Sequence, residues 1–209
     1  MQKIDLKKEL KHLYLPSAKE VVFVEVPAFN FAMVDGVIPA GVLPAESTEY
    51  VDSLGALYGI SYTLKFKSKL RELNPIDYTV MALEGLWWGE SGDFDAEKLE
   101  PWFFTSMMLQ PDHVTQEMFD EAVEELQQKK PELQLDDLRF ERFEEGPSIQ
   151  IMHIGPYSEE PRTLEKMQTF LEEQGYQYRG KHHEIYLGDP RRAKPERLKT
   201  VLRHPVAKL

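Results

Sequence analysis

The feature that most restricts this chain is a pattern that occurs twice. LRFERFEEGPSIQIMHIG (138–155) alternates apolar and polar residues on either side of a Gly-Pro turn, as two paired strands do. SEEPRTLEKMQTFLEEQG (158–175) then takes helical spacing, and KHHEIYLGDP (181–190) and KTVLRHPV (199–206) return to strand patterns. The same order stands earlier. VVFVEVPAFNFAMVDG (21–36) reads as two strands about a turn at Pro27-Ala28, and residues 47–65 are helical, with Tyr50, Leu54, Leu57, Tyr58 and Ser61 on one face. IDYTVMALEGLWW (76–88) and PWFFTSMMLQ (101–110) give two more strands. FAMVDG (31–36) also echoes QIMHIG (150–155), setting Gly36 opposite Gly155.

Read in this way the chain is ββαββ, a linking helix, then ββαββ: an α+β fold of duplicated modules with pseudo-two-fold symmetry. A ligand cleft is expected between two open sheets so related. The divisions within a single domain of residues 1–209 are a polar lead-in (1–19), a first module (20–110), a linking helix (111–131) and a second module (132–209). The lead-in holds a short helix from Leu6 to Leu13, and the linking helix carries Val114, Met118, Ala122 and Leu126 at four-residue steps. In the last helix Ser158 is the expected cap, Glu159 and Glu160 complement the dipole, Pro161 lies in the first turn and Gly175 follows the end. Its buried stripe is Leu164, Met167, Phe170 and Leu171.

Bulk properties exclude several classes. With 36 acidic against 25 basic residues the net charge is −11, and no basic stripe offers itself to nucleic acid or an anionic membrane. The one cationic stretch, KHHEIYLGDPRRAKPERLK, is broken by proline and reads as a surface loop, while the acidic clusters at 93–100 and 119–125 read as solvated faces. Cysteine is absent, so disulfides, thiolate nucleophiles and Cys-based zinc sites drop out. The charged N-terminus lacks the apolar core of a signal peptide and no apolar run would span a bilayer, so a cytoplasmic location is expected. There is no GxxxxGK[ST], no strand-linked GxGxxG and no GxSxG. His183-Glu184 begins like HExxH, but position 187 is leucine; His182 and Glu184, with His153 as a third group, are a weaker metal-ligand reading than a polar pocket wall.

KHHEIYLGDP holds the most informative face. As a strand it turns His182, Glu184 and Tyr186 one way and His183, Ile185 and Leu187 the other. Ile185 and Leu187 suit a core against the helices. A carboxylate on the opposite face, if it borders an aromatic cleft, becomes a base or a counter-charge for a cation. EGLWW supplies the aromatics: adjacent Trp87 and Trp88 point to opposite faces, so only one can belong wholly to the core, and Trp102 begins the next strand. Tyr157, in a turn before the last helix, can reach the same cleft.

Several long stretches, LKKELKHLY, PSAKE, SYTLKFK, DYTVMALEGLWW, MHIGPYSEEPRTLEKM and HHEIYLGDPRRAKPERLKTVLRHPV, resemble the GyrI-like small-molecule-binding proteins, specifically their free-standing branch. The resemblance implies two SHS2-type modules with a ligand cleft between them. Relatives include the drug-sensing domains of multidrug-responsive regulators, gyrase-inhibitor proteins, and hydrolases that open the cyclopropane ring of DNA-alkylating compounds. On that basis Glu184 is the expected catalytic carboxylate, assisted by Tyr186, Tyr157 or His182 as donors, and Trp87, Trp88 and Trp102 stack on a small hydrophobic aromatic ligand, cationic in some cases. No metal or organic cofactor is implied. The alternatives are a non-catalytic binder that sequesters lipophilic or cationic drugs, and a gyrase-inhibitor-like interaction protein; a gyrase contact has no support in the residues themselves.

Overall fold

A computed structural model describes residues 2–92 and 99–209, so most of the acidic 93–100 cluster lies outside the described residues. In chain order the elements are β1 (Gln2–Ile4), α1 (Leu6–Glu9), α2 (Lys11–Tyr14), β2 (Val22–Val26), β3 (Phe29–Ile38), α3 (Thr48–Leu70), β4 (Ile76–Tyr78), β5 (Leu83–Trp88) and β6 (Trp102–Gln110). They continue with α4 (Gln116–Lys129), β7 (Arg139–Phe143), β8 (Gly146–Ile154), α5 (Glu160–Gln174), β9 (Tyr176–Tyr178), β10 (His182–Tyr186) and β11 (Lys199–Lys208).

The strands form one continuous sheet in the order β2-β8-β11-β10-β5-β6-β3-β7, with β9 added against β11; β1 and β4 make a separate parallel pair. The sheets of the two halves are thus joined edge to edge where β10 meets β5, antiparallel, with Glu184 opposite Gly85 and His182 opposite Trp87. Exchanging β2 with β7, β3 with β8, β5 with β10 and β6 with β11 turns this strand order into its own reverse. The first strand of each half crosses over: β2 pairs with β8, and β7 with β3. Each half therefore closes an edge of the other, which covers strand edges that would otherwise stand open.

Alternation along the strands divides the core. Ala32, Val34 and Met108 face α3 and α4 on one side of the first half, where Leu57, Ile60, Leu64 and Phe119 meet them. Ile149, Ile151 and Leu202 face Met167 and Leu171 of α5 on the same side of the second half. The other side of the sheet, with Met33, Leu86, Met107, Ile185 and Val201, is covered by Leu13 and Tyr14 of α2. Ile185 therefore packs under the short N-terminal helices, and the long helices lie over the Glu184 face instead.

Local signals explain most boundaries. Ser47 and Thr115 accept from the backbone N–H groups of Tyr50 and Met118, capping α3 and α4. Gly175 ends α5 in the left-handed conformation at φ 72°, as a following glycine should. Ser158 is not a cap: residues 157–159 form a 3-10 turn, and α5 begins from Glu159 without a side-chain cap bond. Tyr58 lies on the exposed side of α3, because its buried stripe runs through Tyr50, Ser53, Leu57, Ile60 and Leu64.

Candidate functional site

At the junction of the halves, α3 and α5 stand on either side of the centre of the helix-bearing face, and the side chains between them are polar, aromatic and largely buried. From β10 come His182, Glu184 and Tyr186; from β5, Trp87. Phe104 and Trp102 belong to β6, Tyr50 to α3, Glu160 to α5 and Thr200 to β11. Trp87 donates its indole N–H to the Tyr186 oxygen at 2.9 Å. Tyr186 in turn donates to the Glu184 carboxylate, and Tyr50 hydrogen-bonds Tyr186. His182 Nε2 stands 3.3 Å from Glu184 Oε1.

The rings form a wall. Tyr50 lies 5.4 Å from Trp87 and 5.1 Å, edge-on, from Phe104. Trp102 meets Trp87 edge-on at 6.4 Å. Tyr157, 40% exposed, stands at the rim with its ring perpendicular to Tyr186 at 6.1 Å. A glycine makes this packing feasible. A Cβ on Gly85 would lie 2.7 Å from Trp87 Nε1 and 3.3 Å from the Tyr186 hydroxyl, so the two rings meet directly over its bare backbone.

Two carboxyl groups share this space. Glu184 is 7% exposed and Glu160 8% exposed. Thr200 hydrogen-bonds Glu160, whose Oε1 is buried with no hydrogen-bond partner among the described residues. Burial, and then the charge of Glu184, push the Glu160 carboxyl up to about 9, so at neutral pH Glu160 holds its proton. Burial followed by the same Glu184 charge raises Tyr157 to about 12 and moves Tyr50 and Tyr186 upward as well. The arrangement pairs a carboxylic acid with a second carboxyl group amid phenols, which is the composition needed for one proton donor and one acceptor.

The residues expected from the sequence divide clearly. Glu184, Tyr186, His182, Trp87, Trp102 and Tyr157 come together. Trp88 does not: it turns to the opposite face, stacks on Phe103 at 5.9 Å and carries the Lys181 ammonium 3.3 Å above its ring. His153 is directed elsewhere, bonding Thr163 at 2.9 Å and the Pro156 carbonyl at 3.2 Å. Among the described residues no group of three His, Cys, Asp or Glu side chains is placed to hold a metal ion. Glu160, Tyr50 and Thr200 join the site without having been expected there. An acid in the first turn of a helix reads as a dipole partner, and only the fold turns it toward Glu184.

Comparisons agree with this architecture. The model of the GyrI-like small molecule binding domain matches residues 19–207. An uncharacterized conserved protein from Listeria innocua is similar at 41% identity, covering 98% of this chain and 100% of its own, with a TM-score of 0.88. A hydrolase from Listeria innocua is similar at 40% identity, covering 99% of this chain and 100% of its own, with a TM-score of 0.87. The EcmrR C-terminal domain shares the fold at 12% identity, over 91% of this chain and 98% of its own, with a TM-score of 0.52. No curated protein sequence matches the chain significantly. The chain belongs to the family of GyrI-like small molecule binding domains.

Proposed function

We propose that the protein is a cofactor-independent hydrolase that binds a flat, apolar aromatic compound and adds water across a strained cyclopropane ring of the kind found in DNA-alkylating cyclopropanoids. The observation that carries the reading is the buried pair Glu184 and Glu160 beside an indole and phenol wall. The similarity to a Listeria innocua hydrolase over almost the full length of both chains supports it.

In this reading Trp87, Tyr50 and Trp102 hold the polycyclic ring system. Glu184 takes a proton from water as the water oxygen forms a bond to a cyclopropane carbon. The ring C–C bond breaks and its electron pair passes into the conjugated carbonyl, which becomes a phenolate. Glu160, protonated at neutral pH, gives its proton to that oxygen, and transfer from Glu184 to Glu160 through the site restores both groups. The sum is substrate plus water. Tyr186 is committed to Glu184, so its role here is to orient the base, and the donor role passes to Glu160.

The test is incubation of the protein with a cyclopropane-bearing alkylator, followed by mass spectrometry, beside Glu184→Gln and Glu160→Gln. The expected result is a mass gain of one water over many turnovers, lost in both variants. Stoichiometric binding with no product would overturn catalysis and leave a sequestering domain in which Glu184 is a counter-charge for cationic ligands.

A further inference from the structure

The sheet face behind Glu184 carries a second polar cluster that the proposed chemistry does not use. His183 points away from the site, and its ring sits between two carboxylates: Nε2 is 3.0 Å from Glu84 and Nδ1 3.0 Å from Glu145. Arg203 Nη1 lies 3.2 Å from the same Glu145 oxygen. Glu84, Glu145, His183 and Arg203 are all at most 3% exposed. The N-terminal helices lie directly upon them. Tyr14 donates to Glu84 at 2.6 Å, Arg203 donates to the Leu13 carbonyl at 2.8 Å, and Gln150 donates to the His12 carbonyl at 2.7 Å. The space left between these groups is about 10 Å³, room for at most one water molecule.

Burying four ionisable groups costs several kcal/mol for each charge before pairing offsets it, and an apolar core would hold the N-terminal helices as well. Their location supplies a reason. Glu84 belongs to β5 and His183 to β10, so their contact crosses the seam where the two halves of the sheet meet. That seam is only five residue pairs long. On its front the Trp87–Tyr186 hydrogen bond crosses the same strands. A slip along the seam would carry Glu184 and Tyr186 of one half past Trp87 and Tyr50 of the other. The N-terminal segment spans the seam too, held by Glu84 on one side and by Gln150 and Arg203 on the other.

We propose that Glu84 and His183 are positioning residues for the site on the opposite face, and that the segment 6–14, through Tyr14, holds them in alignment. The inference rests on the proposed function only in taking the Glu184 face as the working site. Neither residue touches a ligand; each acts through the strand it shares with Glu184 or Trp87.

The experiment uses the full chain, wild type and the near-isosteric variants Tyr14→Phe and Glu84→Gln, and reads the solvent exchange of the tryptophan indole protons by NMR. Loss of one hydrogen bond to a buried charge should accelerate exchange at Trp87 about tenfold relative to Trp102 in the same molecule. Turnover of the alkylator should fall in kcat with KM nearly unchanged. A merely structural role would speed all buried protons in proportion to the loss of global stability, and an unchanged ratio of Trp87 to Trp102 rates would overturn the proposal. If wild-type protein turns over nothing, the hydrolase reading fails, while the exchange ratio still decides whether the seam is aligned from behind.

Discussion

Trp87 and Tyr186 belong to different halves of the chain, and the hydrogen bond between them, 2.9 Å from indole nitrogen to phenol oxygen, closes the front of the seam that joins those halves. The bond links the aromatic wall to the carboxylate, since Tyr186 is also the donor to Glu184. A ligand pressed against Trp87 is thereby placed at a fixed offset from the group proposed to activate water. The geometry depends on Gly85, over which both side chains meet.

Gly85→Ala tests that dependence. Its methyl carbon would stand 2.7 Å from Trp87 Nε1, within the repulsive range, and the indole is wedged by Tyr50 and Phe104. Overpacking of this kind costs about 1–3 kcal/mol. Urea unfolding should show that loss, accompanied by weaker ligand binding. Stability and affinity equal to wild type would mean that the indole does not need its place over the backbone.

The two adjacent tryptophans should behave oppositely. Trp87→Phe removes both part of the wall and the donor to Tyr186, and a loss of about 1.4 kcal/mol in affinity for a planar aromatic dye is expected, or about tenfold. Trp88→Phe lies beneath Lys181 on the other face and should change affinity by no more than about twofold. A fluorescence titration with both variants makes the comparison; equal losses would contradict the assignment of faces.

The contrast between those residues also shows what the sequence makes legible. Strand alternation is short-range, so HHEIYL separates Glu184 from Ile185, and WW separates its two rings, before any fold is known. The recurrent strand-strand-helix order is equally local. What stays hidden is long-range. Nothing in VVFVEV indicates that β2 pairs with β8 across the molecule, nor in RFERF that β7 returns to β3. Glu160 reads as a helix-dipole partner until the fold sets it facing Glu184, and Tyr50 reads as core although it also bonds Tyr186. One missed signal was available. In ALEGLWW, Glu84 shares its face with Leu86 and Trp88, and a carboxylate among apolar neighbours calls for a buried partner, which the fold supplies as His183 and Tyr14.

Glu160 joins function to stability with a definite sign. Its carboxyl is raised from 4.5 to about 9, first by burial and then by Glu184. Below pH 4.5 the folded and unfolded chains both hold the proton and no penalty arises. As pH rises from 4.5 the unfolded chain ionises while the folded one does not, so stability falls until pH passes about 9. Glu160→Gln should therefore be more stable to urea than wild type at pH 8, by on the order of 5 kcal/mol, with the difference vanishing toward pH 4.5. Turnover should be lost in the same variant, and wild-type turnover should decline as pH passes about 9. A Gln variant no more stable than wild type at pH 8 would mean that Glu160 is not held protonated by its surroundings.

The cluster behind the sheet has limits at both ends of the pH scale. Despite the opposing effect of burial, the charge of Glu145 raises His183 from 6.5 to about 8, and His183 with Arg203 lowers Glu145 from 4.5 to about 2. For His183 the folded value is the higher, so its contribution is complete below pH 6.5 and is lost as pH rises through about 8. For Glu145 the folded value is the lower, so its contribution is complete above pH 4.5 and is lost as pH falls toward 2. The two contributions overlap fully between pH 4.5 and 6.5. Facing charges from β5, β11 and the β7–β8 turn, together with the Tyr14 hydroxyl, are the groups that set this window. The alkaline loss from His183 is worth about 2 kcal/mol, and it adds to that of Glu160. Urea unfolding of Glu160→Gln isolates it, because that variant lacks the Glu160 titration: its stability should still fall by about 2 kcal/mol between pH 6 and pH 9. Adding His183→Gln should flatten the alkaline limb. An alkaline limb that persists in the double variant would assign the titration to a group outside this cluster.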